Sequence, residues 1–394
     1  MEQISVAVIG AGMAGRTHAN AWRQAQTVYG PLPRIRLAAI ADMHLPFAQD
    51  AAAHYGYERA VADWREIADD PDIDVVSIVV GNALHREIAQ ALADSGKHVL
   101  CEKPLAGTLE DAEAMAAIEQ EHPEQVFATG FTFRRNAGVA MLAKIAGDGS
   151  LGTIGHIDAH YWCDYGADPQ VPMAWRYRGP MGSGALGDVG SHLVDSAELI
   201  GGPIIEVSGA QLTTIIQERP VQEGAVAGGR GVTAAADAPR ETVENDDVAT
   251  FTARFASGAL GTFSCSRVAY GMPNDKALTV LGSEGTALWS LARTGEIRLA
   301  DSSSPIGLGG LRQVLVSPEF PYFRDGSSMA FAGVGLNQIE QFTYQAHAFI
   351  QQVAGIREGA LPANATFADG YREMRILEAV AQSARSGGAA VPIA

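Results

Sequence analysis

The 394-residue sequence holds only three cysteines, Cys101, Cys163 and Cys265, each far from the next. That scarcity excludes a disulfide framework and a paired CxxC metal site. Basic residues are also scarce, with 28 Lys and Arg against 45 Asp and Glu and a formal net charge of −17. A surface of that sign repels phosphate backbones and anionic headgroups, so neither nucleic acid nor a membrane is expected as partner. No apolar run reaches the ~18 residues of a membrane span. The N-terminus runs into an apolar strand with no basic leader or cleavage site, which predicts a soluble, cytoplasmic protein. The length predicts two domains, each large enough for its own core.

Short apolar runs alternate with amphipathic stretches through the first 130 residues. Strands are expected at Ile4–Ile9, Ile35–Ala41, Val75–Val80, Lys97–Cys101 and Val126–Thr129, and helices at Met13–Val28, Leu45–Tyr55, His85–Ser95 and Leu109–His122. Gly56 and Gly96 stand where left-handed caps would end two helices, and Thr108 with Asp111 resembles a capping box. Strands of four to six apolar residues without strict alternation suit a parallel sheet covered on both faces. The fold class expected is therefore α/β, a doubly wound parallel sheet over residues 1–130. From residue 131 onward an α+β domain is expected, with a mainly antiparallel sheet. Its strand-like runs are Ile154–Tyr161, Ile204–Thr213, Val248–Phe255, Leu260–Ser266, Ala277–Leu281 and Thr286–Ser290. Helices are expected over residues 188–200, 338–353 and 371–386, the last two able to pack back on the first domain. The Gly/Ala-rich stretch Glu218–Arg240 reads as a mobile loop.

Gly10-Ala11-Gly12-Met13-Ala14-Gly15 is GxGxxG between the first strand and the first helix. Gly10 permits the tight turn, Gly12 lets a pyrophosphate approach the backbone, and Gly15 lets helix pack on strand. The helix N-terminus then offers its N–H groups to phosphate, with Met13 and Ala14 in the first turn. Asp42 ends the second strand, where a carboxylate accepts from ribose hydroxyls and repels a 2′-phosphate; neither Met43 nor His44 would reward that phosphate. NAD is expected over NADP. Lys103, in Glu102-Lys103-Pro104, follows the strand Lys97–Cys101 at the carboxyl edge of the sheet and could stabilise developing alkoxide. Further on, Asp188 and His192 are i, i+4 neighbours on the expected helix, a carboxylate able to orient an imidazole for proton transfer. His156, Asp158 and His160 share one strand face, but no fourth ligand is identifiable and the expected chemistry needs no metal.

These pieces together resemble the glucose–fructose oxidoreductase / inositol dehydrogenase / MocA family over nearly the whole chain. The carrying residues are the glycine turn, Val75–Asn82 leading to His85, the run Gly96–Pro104, Trp175-Arg176, the segment Gly187–Asp195 and Phe367–Gly370. Val80-Gly81 stands before Asn82 where that family usually has Thr-Pro, and Ala137 replaces a common proline. The resemblance implies a Rossmann domain joined to an open-faced sheet domain that assembles homodimers or homotetramers. It implies Lys103, His192 and Asp188 as catalytic residues. It places Asn82, His85, Glu102, Lys103, Trp175 and Arg176 beside the cofactor, with Gly10, Gly12, Met13, Ala14 and Asp42. Substrate contacts are expected from Lys103, Phe133, Arg134, Asp164, Asp188 and His192. Glu244-Asn245-Asp246-Asp247 and Ser266-Arg267 look most like the subgroup with inositol and levoglucosan dehydrogenases. The activity implied is oxidation of a secondary hydroxyl of a cyclic polyol or sugar, such as an inositol, a pyranose or an anhydrosugar. The alternatives are an NAD-retaining redox glycosidase and a non-catalytic nucleotide sensor.

Overall fold

The computed structural model describes residues 2–179, 184–221, 234–235, 237–303, 305 and 307–393. The chain divides into two compact units, one of Met1–Arg135, Asp325–Ser328 and Gln338–Met374, the other of Asn136–Arg324, Met329–Asn337 and Arg375–Ala394.

The first unit is built on β1 (Gln3–Ile9), β2 (Arg34–Ala41), β3 (Arg59–Val61), β4 (Val75–Ile78), β5 (His98–Cys101) and β6 (Phe127–Thr129). They form one parallel sheet in the order β3-β2-β1-β4-β5-β6. Six consecutive residues of β1, Ile4–Ile9, are buried, as a central strand covered on both faces requires. The crossovers are α1 (Met13–Gln24), α2 (Leu45–Tyr55), α3 (Arg65–Ala68), α4 (His85–Asp94) and α5 (Leu109–Glu121). Their ends follow local chemistry. Gly56 is left-handed and its N–H closes α2 on the Ala52 carbonyl, and the Thr108 side chain accepts from Asp111 N–H at the start of α5. Two expected boundaries move. The strand from Val75 stops at Ile78, because Val79 and Val80 turn into the short 3₁₀ segment Asn82–Leu84, and α1 yields to a 3₁₀ turn at Ala25–Thr27. The short β3 and α3 had no clear apolar period in the sequence.

The second unit opens with α6 (Ala137–Gly147), a helix not legible in advance, capped by Asn136, whose side chain accepts from Gly138 and Val139 N–H. After β7 (Ile154–Trp162) come α7 (Ser191–Gly201) and β8 (Ile204–Thr213). β9 (Glu218–Pro220) pairs antiparallel with β10 (Arg240–Thr242). The stretch read as a mobile loop therefore has structured ends, held by ladder hydrogen bonds; residues 222–233 and 236 between them lie outside the described residues. Then follow β11 (Val248–Phe255), β12 (Leu260–Ser266), β13 (Asp275–Gly282), β14 (Gly285–Ser290), β15 (Glu296–Asp301) and β16 (Arg312–Leu315). With β17 (Val391–Pro392) they make a nine-stranded sheet in the order β16-β15-β14-β13-β7-β12-β11-β8-β17. Its pairings are antiparallel except β7 with β12. From Ala249 to Phe255, β11 alternates strictly between buried and exposed side chains, the signature of a sheet with one covered and one open face. Near the C-terminus, α8 (Gln338–Val353) packs on α1 within the first unit, and α9 (Phe367–Arg385) begins in the first unit and ends in the second.

Candidate active site

The glycine turn of the first unit is shaped by close approach. Gly10 has a φ of 105°, and a Cβ there would lie 2.0 Å from the Val79 carbonyl oxygen; at Gly15 it would lie 1.8 Å from the Gly10 oxygen. Gly12 differs: a Cβ there would meet nothing within 4 Å. It is also the N-cap of α1, no side chain caps the helix, and the first turn carries no acid. The N–H groups at this end are thus left to an incoming anion across open space, which fits a dinucleotide pyrophosphate. Asp42 anchors the turn. One carboxylate oxygen accepts Ala11 N–H at 2.8 Å and the other accepts His44 N–H at 2.8 Å. Each oxygen retains a lone pair for a ribose hydroxyl.

Lys103 follows β5 at the carboxyl edge of the same sheet, half-exposed, with its bond to Pro104 in the cis form. Two neighbours expected beside the cofactor also make buried hydrogen bonds within the protein. His85 is wholly enclosed, its ring nitrogens 3.1 Å from the Leu105 carbonyl and 3.2 Å from the Val80 carbonyl, so it ties two loops together. Burial lowers its pKa despite those carbonyls. The Glu102 carboxylate lies against His18 Nε2 at 2.9 Å and accepts Lys103 N–H at 3.1 Å. Burial alone would push Glu102 up, but the His18 contact and the Lys103 charge hold it below its ordinary value. Asn82 is buried at the start of its 3₁₀ turn. Phe133, within the 3₁₀ turn Thr132–Arg135, is fully buried. Arg134 pairs with Asp369 at 3.4 Å, tying that turn to the start of α9.

In the second unit, Asp188 is not on a regular helix. It lies in a π-helical turn, Leu186–Gly190, that runs into the α-helix at Ser191, where an α-helix was expected from residue 188. Asp246 holds the start of the turn. Asp246 accepts Leu186 N–H at 2.8 Å, and a Cβ on Gly184 would lie only 2.0 Å from the Asp246 carboxylate. Asp188 accepts the Tyr165 hydroxyl at 2.6 Å and pairs with Arg176 Nε at 3.6 Å. Burial, then the Asp188 charge, push the Tyr165 phenol well up, so it stays a donor. Arg176 stacks on Trp175 at 4.4 Å. The His192 ring sits 6.0 Å from the Tyr161 ring, and its backbone carbonyl accepts the buried Lys276 ammonium at 3.0 Å.

Behind this cluster is a buried scaffold. Arg267 and Asp247, both fully enclosed, pair at 2.7 Å. Arg267 also donates to the Arg176 carbonyl at 2.9 Å and to Asn245 Oδ1 at 2.7 Å. The Tyr177 ring lies between the guanidinium groups of Arg219 and Arg267, at 4.0 and 4.6 Å. This second unit thus brings Trp175, Arg176 and Asp188 together. Asp164 sits beside Tyr165 and closes its turn through a backbone carbonyl that accepts Ala167 N–H. Tyr165 went unread, although it is Asp164's neighbour; its role depends on a contact 23 residues away. His156 and Asp158 both contact Thr262 on the open sheet face.

Two family models match the chain. One, described as an oxidoreductase family with an NAD-binding Rossmann fold, covers residues 4–130; the other, the GFO/IDH/MocA C-terminal domain, covers residues 139–288. The chain belongs to the GFO/IDH/MocA oxidoreductase family. Among relatives of this family member, levoglucosan dehydrogenase of Pseudarthrobacter phenanthrenivorans is 35% identical over 387 residues, 98% of this chain and 97% of the relative. Myo-inositol 2-dehydrogenase of Thermotoga maritima is 27% identical over 77% of this chain and 80% of that one. A solved structure of levoglucosan dehydrogenase in complex with NADH superposes with a TM-score of 0.89 at 33% identity, covering 100% of this chain and 99% of that one. The first unit of this oxidoreductase carries the family's NAD-binding fold, and its uncapped glycine turn suits that cofactor.

Proposed function

We propose that this protein is an NAD-dependent dehydrogenase that oxidises a secondary hydroxyl of a cyclic polyol or sugar, with anhydrosugars as the first class to test. The observation that carries the reading is the pairing, on one sheet, of an uncapped glycine turn with Lys103 at the carboxyl edge. Full-length likeness to levoglucosan dehydrogenase supports the choice of substrate class.

When bound, NAD supplies the hydride acceptor. The N–H groups at Gly12, Met13 and Ala14 receive its phosphates, and Asp42 accepts from its adenosine ribose. Gly10 keeps the turn tight, and Asn82, Trp175 and Arg176 complete the cofactor side as the family resemblance assigns. Lys103 Nζ stabilises negative charge developing on the substrate oxygen, and His192 takes the hydroxyl proton at a ring nitrogen. Asp188, fixed by Tyr165 and Arg176, accepts from a second ring hydroxyl and orients the substrate. Arg134, which also pairs with Asp369, and Asp164 contact more distant hydroxyls.

The same reading gives a homodimer or homotetramer joined through the open sheet face. There Glu206, Arg254, Leu260, His156 and Leu281 stand in one cross-strand row, apolar side chains among polar ones. Light scattering at micromolar concentration checks the assembly, and a monomer would sink it.

The test of the activity is reduction of NAD and NADP across levoglucosan, inositols and free pyranoses, with Lys103→Met run alongside. Turnover with NAD that Lys103→Met abolishes is the expected result. Equal turnover in that variant, or faster turnover with NADP, would refute the reading. Silence across the panel with NAD still bound would favour the redox glycosidase.

A further inference from the structure

The helix that starts at the glycine turn and the strand end that carries Lys103 are joined by a buried polar chain. Trp22 Nε1 donates to Ser77 Oγ at 2.9 Å, and Ser77 Oγ lies 3.1 Å from His18 Nδ1. His18 Nε2 lies 2.9 Å from Glu102 Oε1, and Glu102 Oε2 accepts Lys103 N–H at 3.1 Å. The inventory of donors settles the direction of each bond. An indole N–H can only donate, so it occupies a lone pair of Ser77. An ionised carboxylate can only accept, so the proton between His18 and Glu102 sits on Nε2. In the neutral ring Nδ1 is then the acceptor, and it takes the Ser77 proton. Every donor in the chain points toward Glu102.

The surroundings leave the carboxylate one position. The Phe342 ring of α8 packs edge-on against His18 at 5.5 Å. Gly130 lies against Glu102, where a Cβ would come within 3.0 Å of Oε1 and 3.2 Å of the Glu102 Cα. Both oxygens are committed, one to α1 and the other to the peptide N–H from which Lys103 projects. A buried carboxylate held by hydrogen bonds contributes little net stability compared with a well-packed apolar set, so its use lies elsewhere.

We propose that His18 is a positioning residue that acts through Glu102 to fix the backbone of Lys103, linking the helix that receives the dinucleotide phosphates to the lysine that stabilises the substrate oxyanion. This rests on the role of Lys103 given above. It adds a residue that touches neither substrate nor cofactor, and whose effect falls on turnover rather than on nucleotide binding.

The test compares His18→Met and His18→Gln with wild type and Lys103→Met, with levoglucosan as substrate and NAD saturating. NAD dissociation constants are measured separately by fluorescence titration. Glutamine carries an amide N–H near the place of Nε2 and can still donate to Glu102, whereas methionine matches the bulk and donates nothing. His18→Met is expected to lower kcat about 10- to 100-fold, the loss of one hydrogen bond to a charged group, with NAD affinity within about threefold. His18→Gln is expected to recover most of that loss. A packing role predicts the opposite order, with methionine equal to or better than glutamine, and that result would overturn the proposal. Ser77→Ala removes a single hydroxyl and covers the case in which His18→Met does not fold; a wild-type kcat there would overturn the wiring as well. Turnover retained in Lys103→Met would defeat the underlying assignment of Lys103. An inactive Lys103→Met beside a fully active His18→Met would defeat the His18 proposal alone.

Discussion

Replacing Asp247 by asparagine changes one oxygen to an amide nitrogen and leaves the shape of the side chain nearly untouched. Its effect should nevertheless be large. Asp247 Oδ1 accepts Arg267 Nε at 2.7 Å, and Oδ2 accepts the N–H groups of Ile215 and Ile216 at 2.8 Å each. Whichever way an asparagine amide is turned, its NH₂ group faces a donor. The enclosed Arg267 charge also loses its counter-ion in a site that water does not reach. Removing one partner of a buried pair costs about 3–5 kcal/mol. For a unit of roughly 200 residues that corresponds to a fall of about 6–20 °C in midpoint temperature. Calorimetry of the second unit's transition reads this directly. Arg267 also holds the Arg176 carbonyl at 2.9 Å, so turnover should fall in the variant even at temperatures where it is folded. A midpoint within about 2 °C of wild type would refute the reasoning, since it would mean that the pair is solvated or replaceable.

The glycine turn offers a sharper contrast. Gly12→Ala places its methyl in open space, so the midpoint should hold within about 3 °C while NAD affinity falls tenfold or more, whereas Gly15→Ala must push on the Gly10 carbonyl and should unfold earlier. Equal NAD affinity in Gly12→Ala would remove the phosphates from this turn. Tyr165→Phe deletes a 2.6 Å hydrogen bond to a carboxylate, worth about 1.5–3 kcal/mol, and should lower kcat or raise KM for the sugar with NAD affinity unchanged. Unaltered sugar kinetics would separate Asp188 from the substrate. For pH, burial holds His85, His98 and His347 below the ordinary histidine value. The unfolded chain therefore takes up protons that the folded rings refuse, and stability rises with pH through that window. Thermal melts at pH 7.5 and 5.5, in enough salt to screen the net charge of −17, should show the lower midpoint at pH 5.5. A flat or inverted profile would count against these rings being buried neutral.

The first unit was largely readable because its signals are local. β1 is a continuous apolar run, Gly56 ends α2 as a left-handed cap, Thr108 caps α5, and the glycines of the first turn stand at fixed offsets. Each depends on backbone preference or side-chain period within a few residues, which the sequence states directly. β11 and β12 were legible for the same reason, as alternating runs joined by a tight turn. Even the subgroup motifs at 244–247 and 266–267 could be recognised, though not what they do.

Other features took shape only in three dimensions. The segment expected as α-helix from residue 188 begins in a π-turn, and Asp246, 60 residues from Leu186 in sequence, holds the first N–H of that turn. Glu102 and His85 were expected beside the cofactor from their motif alone, and only folding shows the first set against His18, 84 residues away, and the second enclosed between two loop carbonyls. Asp188 received its hydroxyl from Tyr165, and Arg267 its counter-ion from Asp247, through strands and loops that meet only in the folded sheet domain. A sequence alone determined here which residue types were available and how the backbone would begin and end its elements. Which polar group would meet which was decided by the tertiary structure, because a buried donor must find its acceptor wherever packing brings one within about 3 Å.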